Sequence, residues 1–201
     1  MAAVQFWFEF ASSYSYVAAQ RIEDLARAQQ VPIEWKPFLL GPLFRRQGWN
    51  DSPFNLYPAR GRYMWRDIER QCRRQGIPFR KPSVFPRNSL LAARVACAAD
   101  GERWMPEFAR AAFRANFAED REIADVAVIE GVLRDLGRDA DAVLALAQSP
   151  GNKERLRLQT EAAWSSGVFG APSLLVDGEL FWGNDRLEEA FLWYKDPGKR
   201  G

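Results

Sequence analysis

From Val4 to Phe10 the side chains alternate in facing, with Val4, Phe6, Phe8 and Phe10 on one side and Gln5, Trp7 and Glu9 on the other. A period of two predicts a β-strand. The next residues, Ala11-Ser12-Ser13-Tyr14-Ser15, are dense in helix-capping types, and Ala18, Ile22 and Leu25 then share a stripe of a helix over 15–29. Val31-Pro32 stops it, and Ile33 to Phe38 reads as a second strand, so the chain opens as a parallel βαβ unit. Leu39 to Tyr57, with Gly41, Pro42, Gly48 and Pro53, reads as a long loop.

Helical periodicity dominates the middle of the chain. Met64, Ile68 and Cys72 make one stripe, residues 89–99 a short helix, and Trp104, Phe108 and Ala111 the start of another. Val126, Ile129, Leu133 and Leu136 repeat at helical spacing, and helices over 141–148 and 152–166 follow. After the breaker-rich Gly167 to Pro172 come a strand from Ser173 to Val176, an Asp177-Gly178 turn of type I′, a return strand from Glu179 to Trp182 and a closing helix from Arg186 to Tyr194. The fold class is α/β: residues 1–40 and 152–201 form one unit, and 41–151 form an inserted all-helical domain.

Composition narrows the chemistry. The 201 residues include no histidine, which removes serine–histidine triads, histidine bases and histidine metal sites. The two cysteines, Cys72 and Cys97, suit neither a disulfide framework nor a metal site. Net charge is +2, yet residues 60–94 hold ten Arg or Lys against Asp67 and Glu69, a local +8 suited to a small anionic ligand. No nucleic-acid-binding signature accompanies it, so a nucleic acid partner is not expected. The longest uncharged run, Ala162 to Val176, is too short and too broken to span a bilayer. With no basic leader in the first ten residues, a cytoplasmic protein with free thiols and no membrane partner is expected.

Without its helical block the element order is the thioredoxin plan, in which a first strand runs into a short motif opening a helix and a later Pro precedes an edge hairpin. Here the motif is Ser12-Ser13-Tyr14-Ser15 and the Pro is Pro172. Serines stand where redox cysteines would, so the chain cannot cycle a CxxC disulfide. A hydroxyl and the positive end of a helix would still stabilise a sulfur anion brought by a ligand, for which glutathione is the obvious candidate. Ala171-Pro172 would offer backbone to such a peptide. In Trp182-Gly183-Asn184-Asp185-Arg186, Asn184 and Asp185 would take its γ-glutamyl end. Each element also has a plainer reading: the serines as caps, Pro172 as a strand-entry residue, Asn184 and Asp185 as helix caps.

The chain resembles the 2-hydroxychromene-2-carboxylate isomerase family, relatives of kappa-class glutathione transferases. The matching segments are Phe-x-Phe-x-Phe-x-Ser (Phe6 to Ser12) through Tyr16, Ser52-Pro53-Phe54-Asn55-Leu56-Tyr57-Pro58-Ala59-Arg60-Gly61, Phe85-Pro86-Arg87-Asn88-Ser89-Leu90 through Arg94, Phe169-Gly170-Ala171-Pro172 and Trp182 to Arg186. Two positions depart from the family pattern: it commonly has Pro at Ser13 and Lys at Arg60. The resemblance implies a homodimer with glutathione as a non-consumed cofactor: Ser12 against the sulfur, Ala171 and Pro172 along the backbone, and Trp182, Gly183, Asn184 and Asp185 around the rest. It implies interconversion of 2-hydroxychromene-2-carboxylate, a small anionic aromatic, with trans-o-hydroxybenzylidenepyruvate by reversible thiolate addition, in aromatic catabolism. Arg60 or Arg87 would hold the substrate carboxylate, Asn55 or Asn88 its oxygens, and Trp49, Phe54 and Trp182 its ring. A glutathione transferase or peroxidase using the same Ser12, and a non-catalytic glutathione- or peptide-binding module, are the competing readings.

Overall fold

The structure is a computed structural model that describes residues 2–196 and Gly198. The outer limits of the expected division, residues 1 and 201, lie outside the described residues. Four strands, β1 (Val4–Phe8), β2 (Ile33–Pro37), β3 (Ser173–Val176) and β4 (Glu179–Trp182), form one sheet in the order β2-β1-β3-β4. β1 runs parallel to β2, with Val4 opposite Ile33, and antiparallel to β3, with Trp7 opposite Ser173. Helix α1 (Ser13–Gln29) is the crossover between the parallel pair, and Gln30 ends it in the left-handed conformation at φ 56°. The β3–β4 hairpin turns at Asp177 (φ 50°) and Gly178 (φ 93°), the two positive φ angles a type I′ turn needs.

The helical stretch between β2 and β3 contains α2 (Leu40–Arg46), α3 (Pro53–Leu56), α4 (Pro58–Gln75), α5 (Leu90–Ala98), α6 (Met105–Phe117), α7 (Val126–Asp135), α8 (Ala140–Gln148) and α9 (Pro150–Ser165). Helix α10 (Leu187–Lys195) closes the described chain. The segment from Leu39 to Tyr57, expected as a loop, therefore holds two short helices. Pro42 and Pro53 fall in first turns, where the missing N–H would have had no partner anyway, so they permit the helices they seemed to forbid. Ser52 caps α3 by accepting from the Phe54 N–H at 3.3 Å. The closing helix is also divided: a 3₁₀ turn at Asn184–Arg186 precedes α10.

Phe6, Phe8 and Phe10 are fully buried, as the alternation predicts. Phe10 lies 4.9 Å from the Phe113 ring of α6, and Phe6 lies 5.0 Å edge-on to Trp35 of β2. The opposite face of the sheet is not solvated. Trp7 is buried in a second cluster with Phe38, Leu43, Ala163 and Val168, supplied in part by α2 and α9. Alternation along β1 thus sorts side chains between two apolar layers rather than between core and water. The consequence at the strand's far end is a buried carboxylate, Glu9, beside the start of α1.

Candidate active site

Ser12 is the N-cap of α1. Its Oγ accepts from the Ser15 N–H at 3.1 Å and donates to the Ala171 carbonyl at 2.9 Å. One side chain therefore joins the entrance of α1 to the segment before β3. The Ala171–Pro172 peptide bond is cis. The Ala171 N–H makes no hydrogen bond among the described residues. The Pro172 carbonyl accepts from the Gly183 N–H at 3.0 Å, which brings the Trp182–Asp185 turn to the same corner. Ser13, the departure from the family pattern, is buried and donates to the Met64 sulfur at 3.3 Å.

These elements form one end of a cleft of about 1660 Å³ that also reaches Tyr14, Trp49, Phe54, Arg60, Asn88 and Phe169. Two glycines set its shape. A Cβ at Gly170 would stand 2.5 Å from the Trp182 indole nitrogen, and one at Gly183 (φ 122°) would stand 2.4 Å from Asp185 Oδ1. Trp182 packs on Phe169, centroids 4.9 Å apart. Asn184 is buried, and its carbonyl accepts from Arg21 of α1 at 3.3 Å. Neither Asn184 nor Asp185 caps α10, whose N-cap is Arg186 without a side-chain hydrogen bond, so the capping reading does not apply. Opposite them the Tyr14 hydroxyl donates to Asp67 of α4 at 3.1 Å. Burial, and then the Asp67 charge, push the Tyr14 phenol above its ordinary range, so it keeps its proton.

The remaining expected ligand residues divide. Arg60 is exposed at the cleft edge, its guanidinium 4.6 Å over the Tyr57 ring. Asn88 borders the cleft and accepts from the Leu90 N–H at 3.0 Å. Asn55 is not among the cleft-lining residues: its amide donates to both Asp51 oxygens, at 3.2 and 3.1 Å, and to the Phe85 carbonyl at 3.2 Å. Arg87 touches the cleft, but its side chain is only 3% exposed and its guanidinium turns inward. There it donates to the Asn116 carbonyl and Oδ1, at 3.2 and 3.0 Å, and pairs with Asp120. Asn116 in turn donates to the Phe10 carbonyl at 3.0 Å, so Arg87 braces the loop that carries Ser12. The Ser83 N–H and Arg87 hold the Asp120 carboxyl at about 2, below its ordinary 3.8.

Glu9 is the site residue that the pattern of the sequence did not single out. Its Oε2 accepts from the Ala11 N–H at 2.9 Å, and its Oε1 accepts from the Ser89 hydroxyl at the start of α5. Burial raises its carboxyl from 4.5 to about 7, against the opposing pull of those donors. The available signal was a charge three residues before Ser12, in a strand otherwise apolar beyond Gln5.

A family model described as DSBA-like thioredoxin domain matches residues 3–191. The chain is 32% identical to the 2-hydroxychromene-2-carboxylate isomerase of Sphingobium xenophagum, covering 94% of this chain and 97% of that protein. It is 28% identical to glutathione S-transferase kappa 2 of Caenorhabditis elegans, covering 98% and 93%. A solved structure of a 2-hydroxychromene-2-carboxylate isomerase superposes with a TM-score of 0.85 at 28% identity, covering 99% of this chain and 96% of the other.

Proposed function

Because this chain belongs to the DSBA-like thioredoxin family, and within it to the 2-hydroxychromene-2-carboxylate isomerase family, we propose that it interconverts 2-hydroxychromene-2-carboxylate and trans-o-hydroxybenzylidenepyruvate with glutathione as a non-consumed cofactor. The observation that carries this is the corner made by Ser12 and the cis Ala171–Pro172 bond, at the head of a cleft with no cysteine among its lining residues. Such a corner is arranged for a sulfur anion that the chain does not itself provide.

The residues present fit the tripeptide. The Ala171 N–H, unpartnered among the described residues, offers a strand-like donor, and Gly170 and Gly183 let the Trp182 indole and the Asp185 carboxylate close against the backbone at that end of the cleft. Asn184 and Asp185, in the 3₁₀ turn after Gly183, would take the γ-glutamyl amine and carboxylate. When bound, glutathione would supply a thiolate nucleophile for reversible addition to the conjugated carbon of the substrate. Ser12, whose hydroxyl donates to the Ala171 carbonyl, would hold the sulfur by turning that donor toward it, assisted by the N-terminal dipole of α1. Arg60 takes the substrate carboxylate from the cleft edge, Asn88 a substrate oxygen, and Trp49, Phe54 and Trp182 the aromatic ring. Arg87 braces the loop that carries Ser12 through Asn116, and Asn55 ties α3 to the Phe85 carbonyl. The enzyme would act in aromatic catabolism as a cytoplasmic homodimer. Its two buried free thiols accord with a reducing compartment.

The test is incubation of the protein with 2-hydroxychromene-2-carboxylate and substoichiometric glutathione. Many turnovers with the glutathione recovered intact support the isomerase. Isomerisation that is no faster than the protein-free control overturns it. The similarity to a kappa-class transferase makes consumption of glutathione, by conjugation or peroxide reduction, the alternative outcome to score in the same mixture.

A further inference from the structure

We propose that Glu9 is the proton acceptor for the thiol that docks at the Ser12 end of α1. This rests on the glutathione reading above and goes beyond it by assigning the proton. Glu9 lines the same cleft as Ser12, three residues before it, with 4% of its surface exposed. Its hydrogen-bond donors are neutral: the Ala11 and Ser12 N–H groups and the Ser89 hydroxyl. No cation contributes to its titration. The ionisable groups on the elements around it are engaged elsewhere: Lys36 of β2 with Glu34, Arg87 with Asp120, and Tyr14 with Asp67. Arg94 of α5 is not among the cleft-lining residues, and its buried Nε has no hydrogen-bond partner among the described residues.

An ionised Glu9 and a thiolate would therefore be two anions in one poorly solvated corner, without a cation to share. Like charges so placed cannot both persist, and one proton between them resolves the conflict. In the step that follows, Glu9 takes the proton as the S–H bond breaks. The electron pair stays on sulfur, an O–H bond forms on the carboxyl, and the net charge of the pair is unchanged. Departure of the tripeptide reverses the transfer, and no other reactant is needed. Burial brings Glu9 up to about 7, which narrows its distance from a thiol's reference value of roughly 8.5.

The test counts protons rather than turnover. Glutathione is titrated calorimetrically into the full-length protein in buffers of different ionisation enthalpy, at about pH 8 and about pH 6. At the higher pH the wild type should release almost no proton on binding, while Glu9→Gln releases most of one. At the lower pH Glu9 is already protonated and the two should agree. Equal release by both proteins at the higher pH would overturn the proposal. If Glu9→Gln does not fold, Ser89→Ala keeps the carboxyl and removes one donor that favours its ionised form. The pH at which wild-type release disappears should then move upward, and an unmoved midpoint counts against Glu9. Absence of binding heat in every protein overturns the glutathione reading and this proposal with it, whereas binding with equal proton release overturns only this one.

Discussion

The Ser12 hydroxyl donates to the Ala171 carbonyl at 2.9 Å, across 159 positions of sequence. The same oxygen accepts from the Ser15 N–H, so Ser12 both starts α1 and fixes its distance from the cis-proline segment. Ser12→Ala removes a cap, a crosslink and the donor proposed for the sulfur together. The cap alone is worth about 1 kcal/mol. Loss of a donor aimed at a reacting anion should lower glutathione-dependent turnover on the order of 100-fold. Activity per folded molecule, corrected by thermal unfolding, checks this, and unchanged turnover would remove Ser12 from the site.

Glu9 makes stability depend on pH. Its carboxyl is raised from 4.5 to about 7 in the fold, so the native state holds more protons than the unfolded chain between those values. The contribution is complete below about 4.5 and is lost as pH rises through about 7. The total is roughly 3 kcal/mol, or on the order of 10 °C in Tm for a chain of this size. Glu9→Gln keeps the shape without the titration. The Tm difference between the two proteins should therefore change through this window, in which the unrelated carboxylates cancel. A flat difference would mean that burial does not perturb Glu9.

The strands and the longer helices were legible because their periods are local: Phe6, Phe8 and Phe10 on β1, Met64, Ile68 and Cys72 on α4, and the positive φ pair Asp177 and Gly178. Helices α2 and α3 were not, because a proline is permitted at a first turn and forbidden a turn later, a distinction of position that composition does not carry. That Ser12, Pro172 and Asn184 meet at one corner was legible. The roles of Arg87 and Glu9 were not, since Asp120 and Ser89, which decide them, lie 33 and 80 positions away.

Arg87 separates support from substrate contact. Its guanidinium is committed to Asn116 and Asp120, and Asn116 holds the Phe10 carbonyl. Arg87→Met removes a buried guanidinium and its bonds to Asn116, leaves the half-buried Asp120 with Ser83 and the more distant Arg80, and frees the loop before Ser12. Tm should fall on the order of 10 °C. Arg60→Met, at the exposed edge, should leave Tm within about 2 °C while raising KM for an anionic substrate several-fold. The reverse assignment of Tm and KM effects would place the substrate carboxylate on Arg87.

Gly170 is the contact that seats Trp182. A Cβ there would stand 2.5 Å from the indole nitrogen and 3.1 Å from the next ring carbon, and the indole must swing away from Phe169 to admit it. Gly170→Ala should cost about 1–3 kcal/mol by overpacking. It should also shift tryptophan emission and weaken glutathione binding, because Trp182 walls the same end of the cleft. Unaltered emission would show that the ring already has room.

Cys72 on α4 and Cys97 on α5 test whether the reactive sulfur is borrowed. Both are almost wholly buried, at 1% and 2% exposure. Burial pushes the Cys72 thiol up to about 11 and raises Cys97 as well, against the pull of Arg155. The thiolate is the reactive form, so neither side chain is a nucleophile at neutral pH. A thiol reagent should leave the native protein unlabelled and should modify both residues once it is unfolded. Cys72→Ala combined with Cys97→Ala should cost about 1 kcal/mol per site and leave glutathione-dependent turnover per folded molecule unchanged. If activity instead fell in step with modification of either thiol, the sulfur would belong to the chain, and Ser12 would have to be demoted from sulfur partner to helix cap.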